Sequence, residues 1–279
     1  MCADSFRFKV GELTCLAVSD GSYVLQASSL FSNAPQDELD DALRHRGLCL
    51  EEVPVEENCL LIQTGEEMVL IDTGMGPGLR PNAGRLLGNL QAEGIDPSDV
   101  DLVLITHAHG DHIGGLTDEH GDLAFPRARF VMCRDEWDFC MPEGTRAEIE
   151  PERGEFLDTK LGPLRSRIEL LDRESEIAPG VRTVAAAGHT PGHLMVEVHW
   201  RGRKLLYVSD AVLHPINLAH PDWHSVYDKD GEQALAVRRS LLERAEAEGW
   251  LILAFHFPFP GLGYIGREGA AWKWERVLA

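Results

Sequence analysis

The segment "ITHAHGDHIGG", residues 105–115, places three histidines and an aspartate within six positions. The whole chain has only 12 histidines in 279 residues, so this is a strong local concentration. An apolar core does not favour such a cluster, because buried imidazole nitrogens must find polar partners. A divalent metal ion satisfies all of them together. We therefore take His107, His109, Asp111 and His112 as candidate metal ligands.

The apolar segment "VDLVLIT" precedes this cluster and predicts a buried strand that ends at Thr106. Side chains two positions apart point the same way at a strand end, so His107 and His109 should face one space. Other apolar segments end in metal-competent side chains in the same manner. These are His189 after "VRTVAAA", Asp210 in "KLLYVSD" and His256 after "WLILAF". The repeated placement predicts that distant strands deliver ligands to one sheet edge, where two metals such as zinc are held a few ångströms apart.

A lone histidine after a strand is more often structural than a metal ligand. We give that structural interpretation to His45, His120, His193 and His199, which lie outside the pattern.

The remaining sequence indicates an α+β protein with two mixed β-sheets packed together and helices outside. Strand patterns occur as hairpins, as in "NCLLIQTGEEMVLIDTG", and elsewhere alternate with helix patterns. Helices are predicted for "PQDELDDALRHRG", for about 82–93 and for 231–248, and "WLILAF" is expected to be the last strand. The charged region 141–162 is predicted to be a mobile or helical insertion. With no linker or repeat, residues 1–279 are expected to form one domain.

Composition argues against several classes of partner. The net charge of −20 repels nucleic-acid phosphates and anionic lipid, so neither is an expected partner. No apolar run reaches the roughly 20 residues that span a bilayer, and the N-terminus lacks a secretory pattern. The six cysteines form no C-x-x-C pair and are expected to be reduced thiols. We therefore expect a cytoplasmic location.

The motifs "LIDTG", "THAHGDHIGG", "GHTPGH", "SDA" and "FHFPFPG" together resemble the metallo-β-lactamase-fold hydrolase superfamily. This resemblance implies an αββα sandwich with a dinuclear metal site at the sheet edge. It further implies that one metal is bound by His107, His109 and His189, and the second by Asp111, His112 and His256, with Asp210 bridging. Asp72 is implied to hold the ligand loop through hydrogen bonds.

Within the superfamily, "AVSDGSYVL" and the segment from Asp228 to Ile265 are most similar to the lactonase and methyl parathion hydrolase-like branch. β-Lactamases of this fold usually replace the bridging aspartate, which is intact here as Asp210. The related nucleases need a cationic surface, and glyoxalase II needs a basic C-terminal segment that "GREGAAWKWERVLA" does not match. Diiron redox domains usually carry a glutamate where this chain has His109.

These features predict a dinuclear-metal hydrolase of small neutral esters, with lactones as the leading class, acting through a metal-bridging hydroxide. Organophosphate triesters or aryl esters are the alternative; a glyoxalase-II-like thioesterase and a diiron redox module rank lower. Two divalent ions per chain are expected, zinc first, with iron, manganese or cobalt as alternatives. A homodimer is possible from the resemblance.

Asp111 is the predicted acid/base group, because it can orient the attacking hydroxide. Lactonases of this branch often have a tyrosine shortly after the bridging aspartate, but this chain has "SDAVLHP" there. His214 is a candidate replacement, with a structural role as the alternative. Aromatic side chains flank the ligand strands and are candidates for an apolar substrate pocket, with core packing as the alternative: Trp223, His224, Phe257, Phe259 and Tyr264.

Overall fold

The computed structural model describes residues 4–142 and 150–277. In the first sheet, the strands lie side by side in the order in which they occur along the chain. They are β1 (Ser5–Val10), β2 (Leu13–Leu25), β3 (Val53–Gln63), β4 (Met68–Ile71), β5 (Leu102–Ile105), β6 (Arg129–Cys133) and β7 (Ile168–Leu171). β1 to β4 are antiparallel, and β4 to β7 are parallel. The first sheet is therefore mixed.

The second sheet contains β8 (Glu176–Ala178), β9 (Val181–Ala185), β10 (Leu194–Trp200), β11 (Arg203–Tyr207), β12 (Leu251–Leu253), β13 (Leu262–Glu268) and β14 (Ala271–Arg276). It is also mixed, because β11 and β12 are parallel while the other neighbours are antiparallel. The helices are α1 (Ala27–Leu30), α2 (Gln36–Arg44), α3 (Leu86–Ala92), α4 (Gly110–Ile113), α5 (Arg134–Cys140), α6 (Pro151–Leu161), α7 (Ile216–Ala219) and α8 (Gly231–Glu248).

Alternate side chains of β10 and β11 pack into two different hydrophobic clusters, which shows how the layers are arranged. Val196 and Leu205 belong to the large core shared with the first sheet, whereas Met195 and Leu206 pack in a second cluster with Leu241 of α8. The second sheet thus lies between the first sheet and α8, as the two-residue period of a strand requires. The predicted αββα fold is confirmed.

Three local predictions need correction. β12 is not the last strand, because β13 and β14 follow; the glycines in β13 suggested turns, but a Cβ on Gly263 would lie only 2.6 Å from Trp274. The helix predicted from residue 82 begins at Leu86, after Gly84 adopts a φ of +81°. β7 and β8 were not predicted at all, because each is short, with 4 and 3 residues, and neither alternates clearly.

The region expected to be a mobile or helical insertion, residues 141–162, includes α6 over Pro151–Leu161. Leu157 and Leu161 of this helix are buried in the large core. The helical alternative therefore holds for this part, while residues 143–149 lie outside the described residues.

Asn58 on β3 joins the two sheets next to one ligand. Its buried Nδ2 lies 2.7 Å from the carbonyl oxygen of Phe257 and 2.9 Å from that of Phe255, on either side of His256. The backbone N–H of Asn58 also donates to the Phe255 carbonyl. These bonds hold the segment after β12 in place.

We expect Asn58→Ala to lower the free energy of unfolding by about 2–3 kcal/mol, because buried carbonyls would lose their donor. Denaturant unfolding followed by circular dichroism measures this change. The exposed Asn82→Ala is the matched control and should change the value by less than about 0.5 kcal/mol. Equal stability of the two variants would contradict this role for Asn58.

Candidate metal centre

The seven candidate ligands come together from four places in the chain. His107 and His109 follow β5, and Asp111 and His112 lie in the first turn of α4. His189 follows β9, Asp210 follows β11 and His256 follows β12. Their ligand atoms form two groups in which all atoms lie within 4.8 Å of one another: His107, His109, His189 and Asp210 in the first, and Asp111, His112 and His256 in the second.

Asp210 lies between the two groups. Its Oδ2 is 3.1 Å from Nε2 of His189 in the first group, and its Oδ1 is 3.0 Å from Nε2 of His112 in the second. Oδ2 is also 3.4 Å from Nε2 of His256. A carboxylate in this position is suited to bridge two cations.

The ring nitrogens of the first group face one another closely, at distances near those around a shared metal ion. His109 Nδ1 lies 3.0 Å from His107 Nε2 and 2.9 Å from His189 Nε2. Ligand nitrogens around a tetrahedral zinc, at ~2.0–2.1 Å from the ion, are separated by roughly 3.3 Å. His112 Nε2 and Asp210 Oδ1 are both buried and lie 3.0 Å from each other without the alignment of a hydrogen bond. The donor set fits two divalent metal ions.

The outward nitrogen of each of three ligand rings is held by an oxygen. His112 Nδ1 lies 2.8 Å from Asp72 Oδ2, and His189 Nδ1 lies 2.8 Å from Asp228 Oδ1. His256 Nδ1 lies 2.9 Å from the carbonyl oxygen of Glu56. When Nδ1 donates to these oxygens, the lone pair of Nε2 faces the centre, which is the tautomer that a metal ligand needs.

Asp72 lies behind the ligand loop, as the resemblance implies. Besides contacting His112, its carboxylate accepts hydrogen bonds from the backbone N–H of Thr106 and from the Tyr207 hydroxyl. Asp72 has a positive φ of 60°, which is unusual for a residue with a side chain. The four partners of its carboxylate, which include the Thr106 hydroxyl, compensate for this conformation.

The charge on Asp210 is favoured by its neighbours. Burial opposes ionisation, but the imidazoles of His112, His256 and His107 outweigh burial and hold the pKa of Asp210 well below its usual range. Asp210 is therefore a carboxylate, the form that binds metals.

His193, the second histidine of "GHTPGH", has the structural role that we expected. Its Nδ1 contacts the carbonyl oxygen of Ala186, and its Nε2 accepts the backbone N–H of Asp210. Burial lowers the pKa of His193 to about 3, so the ring is neutral. His45, His120 and His199 are exposed.

Glu136 on α5 was not predicted and connects two ligand loops. Its fully buried carboxylate accepts the backbone N–H of Ala108 through Oε1, and the Thr190 hydroxyl and Gly192 N–H through Oε2. These partners lie beside His107, His109 and His189. Asp228, the carboxylate behind His189, was also missed. Neither residue lies in a recognisable motif. The weak signal for Glu136 is its position in "DEWDFC", where it is the acid that faces the core.

A cavity of about 440 Å³ opens onto the two groups of ligands. Tyr23 lines it, and its hydroxyl donates a 2.8 Å hydrogen bond to Asp111 Oδ2. Burial and the charge of Asp111 raise the pKa of Tyr23 well above its ordinary value, so the phenol keeps its proton. Tyr23 lies in "AVSDGSYVL", a segment that carries part of the resemblance, but it was not predicted to be a site residue. A phenol thus reaches the site from β2 instead of from the segment after Asp210.

His214 is not among the residues that line this cavity, although its neighbour Leu213 is. Its Nδ1 accepts the backbone N–H of Ile216, and its ring packs edge-on against Phe31. Burial, with the charges of Arg46 and His256, lowers its pKa to about 3. This geometry favours the structural alternative for His214.

The prediction of an aromatic pocket is corrected, because none of the candidate side chains lines the cavity. Trp223 packs on Phe31 and stacks on His220, and Phe257 packs against Trp274 in the cluster under α8. Tyr264 is 42% exposed on β13. Phe259 is half-buried near Arg276, and His224 bonds to Ser32. These residues follow the ligands in sequence, but the chain turns away from the cavity at each of them.

We expect Glu136→Gln to weaken metal affinity by about 10- to 100-fold, because its amide cannot accept from all three donors. Competition between the protein and a chromophoric chelator measures this affinity. Asp138→Asn, an exposed change on the same helix, is the control and should bind metal like the parent. Unchanged affinity in the Glu136 variant would refute this positioning role.

Comparison with known proteins agrees with this geometry. A sequence model of the Metallo-beta-lactamase superfamily matches residues 53–256. An N-acyl homoserine lactonase of Bacillus thuringiensis is 25% identical over 171 residues, which cover 54% of this chain and 62% of that protein. Metallo-beta-lactamase domain-containing protein 1 of Mus musculus is 45% identical over 76 residues, which cover 27% of this chain and 24% of that protein. These matches thus span less than two thirds of each relative.

Two solved structures match over almost their full lengths. The hydrolase AbOPH superposes with a TM-score of 0.91 at 26% identity, covering 100% of this chain and 99% of that chain. AidC, a dizinc quorum-quenching lactonase bound to an N-hexanoyl-L-homoserine product, superposes with a TM-score of 0.87 at 26% identity, with the same coverage. Together with the match over residues 53–256, the fold and the two groups of ligands show that this chain belongs to the metallo-β-lactamase superfamily.

Proposed function

We propose that this protein is a dinuclear-metal hydrolase that opens lactones. The observation that carries the proposal is the position of Asp210 between two groups of ligands at the floor of an open cavity. The similarity to AidC and to the Bacillus thuringiensis lactonase supports lactones over other esters.

His107, His109 and His189 would hold one ion and Asp111, His112 and His256 the other, with Asp210 shared. When bound, two such ions would supply Lewis-acid chemistry that makes water nucleophilic near neutral pH and polarises an ester carbonyl. Zinc is the ion we propose, because imidazole and carboxylate ligands suit it and AidC is a dizinc enzyme.

The chain's own groups would orient the reaction. Asp111 is placed to accept a proton or a hydrogen bond from the attacking water. Tyr23, whose hydroxyl bonds to Asp111, is placed to donate to the oxygen of the substrate when the ester enters the cavity. We therefore propose Tyr23, rather than His214, as the hydrogen-bond donor to the substrate oxygen.

We further propose that the protein acts in the cytoplasm on a small molecule, as a homodimer, without a nucleic-acid or membrane partner. Cys15, Cys49, Cys59, Cys133 and Cys140 are free thiols, which suits a reducing compartment. Among the described residues, no helix combines the length and apolar character that crossing a bilayer requires. One domain over residues 1–279 stays a prediction.

Elemental analysis of protein purified without chelator should find about two zinc-class ions per chain. Asp210→Ala should retain fewer ions and lose at least ~10³-fold in kcat/KM, because the two groups lose their shared ligand. Glu119→Ala, an exposed change in the loop after the ligand segment, is the control. A metal-free parent, or an Asp210 variant with normal turnover, would disprove the proposal.

A substrate panel separates lactones from the alternative esters. We expect acyl-homoserine and aliphatic lactones to have the highest kcat/KM, ahead of aryl esters, paraoxon-type phosphotriesters, lactoylglutathione and a β-lactam. Higher kcat/KM for the phosphotriester would replace the lactonase proposal with organophosphate hydrolysis.

We expect Tyr23→Phe to lower kcat by about 10- to 100-fold with a smaller effect on KM, because a donor that assists the transition state is lost. Steady-state kinetics on a preferred lactone, with metal content verified, tests this. Tyr264→Phe removes a hydroxyl outside the cavity and is the control. If kcat is unchanged in Tyr23→Phe, Tyr23 is only a structural partner of Asp111.

A further inference from the structure

The cavity above the metal centre has an unusual charge. The chain carries 46 acidic and 26 basic residues, yet Arg80, Arg153 and Lys229 line this cavity. Its only acidic lining residues, within the described part of the chain, are the candidate ligands Asp111 and Asp210. Apart from the candidate metal ligands, the charged residues that line the cavity in the described part of the chain are therefore all cations, although the protein has a net charge of −20.

Arg153 on α6 is the most constrained of these cations. Its guanidinium is hydrogen-bonded to the Cys140 thiol, while Nη2 is buried and has no hydrogen-bond partner among the described residues. α6 covers the ligand loop, since the Phe156 ring lies 3.7 Å from the position that a Cβ on Gly110 would take. Nη2 itself has almost no accessible surface, so a ligand would reach Arg153 through the part of its side chain that lines the cavity, where a guanidinium is suited to bind an anionic group.

Lys229 and Arg153 lie on the same side of the cavity. The backbone N–H of Lys229 donates to the carbonyl oxygen of His189, and Arg153 lines the wall with His109. Both cations therefore lie beside the first group of ligands.

The opposite side is mainly apolar. Tyr23 lies edge-on to His256 of the second group, and Leu25 follows it on β2. Leu30, Val55 and Leu213 continue this wall and pack in one hydrophobic cluster. The Arg80 guanidinium lies 5.7 Å from the centroid of the Tyr23 ring, so this side carries one cation at Tyr23 and is otherwise apolar. The cavity thus has Arg153 beside the first group of ligands and a mainly apolar wall beside the second.

We propose that the natural substrate is an amphipathic anion: a lactone that carries a carboxylate and an apolar arm. This inference rests on the proposed lactonase function and narrows its substrate class. The carboxylate binds Arg153 and Lys229, the arm lies on Leu25, Leu30 and Leu213, and the ester is held over the metal centre. The charge of Arg153 thus selects among lactones.

A matched substrate pair tests this directly. We would compare a γ-lactone bearing a hexyl arm and a ring carboxylate with the primary amide of the same compound, which has nearly the same size without the charge. The parent protein should prefer the carboxylate by about 10-fold in kcat/KM, the effect expected of a charge-assisted hydrogen bond. In Arg153→Gln this ratio should fall below about 2.

Arg203→Gln is the control. Arg203 begins β11, whose other end leads to Asp210, so it lies at the edge of the sheet away from the metal centre. It should keep the preference of the parent. Calorimetry adds a measurement without turnover: the ring-opened dicarboxylate should bind the metal-loaded parent about 10-fold more tightly than its monoamide, and Arg153→Gln should lose this difference.

The outcomes separate the two proposals. If neither lactone is opened by metal-loaded protein, and the wider panel also fails, the lactonase function is wrong. If both lactones are opened with equal efficiency, that function stands and the anionic substrate is refuted. A preference that survives in Arg153→Gln also refutes the assignment to Arg153.

Discussion

Imidazole nitrogens that face one another at 2.9–3.0 Å, around a buried carboxylate, are the constraint on which this structure depends. One ring N–H can donate to only one of these nitrogens, whereas a cation between them accepts the lone pairs of all of them together. Their convergence is held from outside by Asp72, Asp228, Glu136 and backbone carbonyls, which fix the rings before any ion arrives. The outer hydrogen bonds are therefore as necessary as the ligands themselves.

The two-sheet fold makes this arrangement possible. β5, β9, β11 and β12 end near one edge, so each loop needs to contribute only one or a few ligands. The sheets are rigid, because their inner side chains share one core. Loops that leave such a scaffold can differ in their cavity-lining residues while the metal centre stays constant. In this chain the lining residues Tyr23, Arg153 and Lys229 come from β2, from α6 and from the segment before α8.

Much of the fold was predictable, because apolar runs mark the buried strands and because α8 is long, with 18 residues. β13 was missed because its glycines resemble turn signals, although they are required by the close approach of Trp274. The helix predicted from residue 82 began four residues late because Gly84 takes a left-handed conformation. Short elements such as β8 depend on pairing with neighbours, which local propensity does not encode.

The amino-acid order was enough to find the candidate ligands that the structure brings together, since a histidine or aspartate at the end of an apolar strand gives a strong local signal. It was not enough to find the residues that surround the substrate. Trp223 and Phe257 are adjacent to ligand segments in sequence but pack into other clusters, whereas Tyr23 and Arg153 come from distant elements. The walls of the cavity are formed by long-range packing, so the charge of the cavity became visible only once the two sheets and α6 were assembled around it.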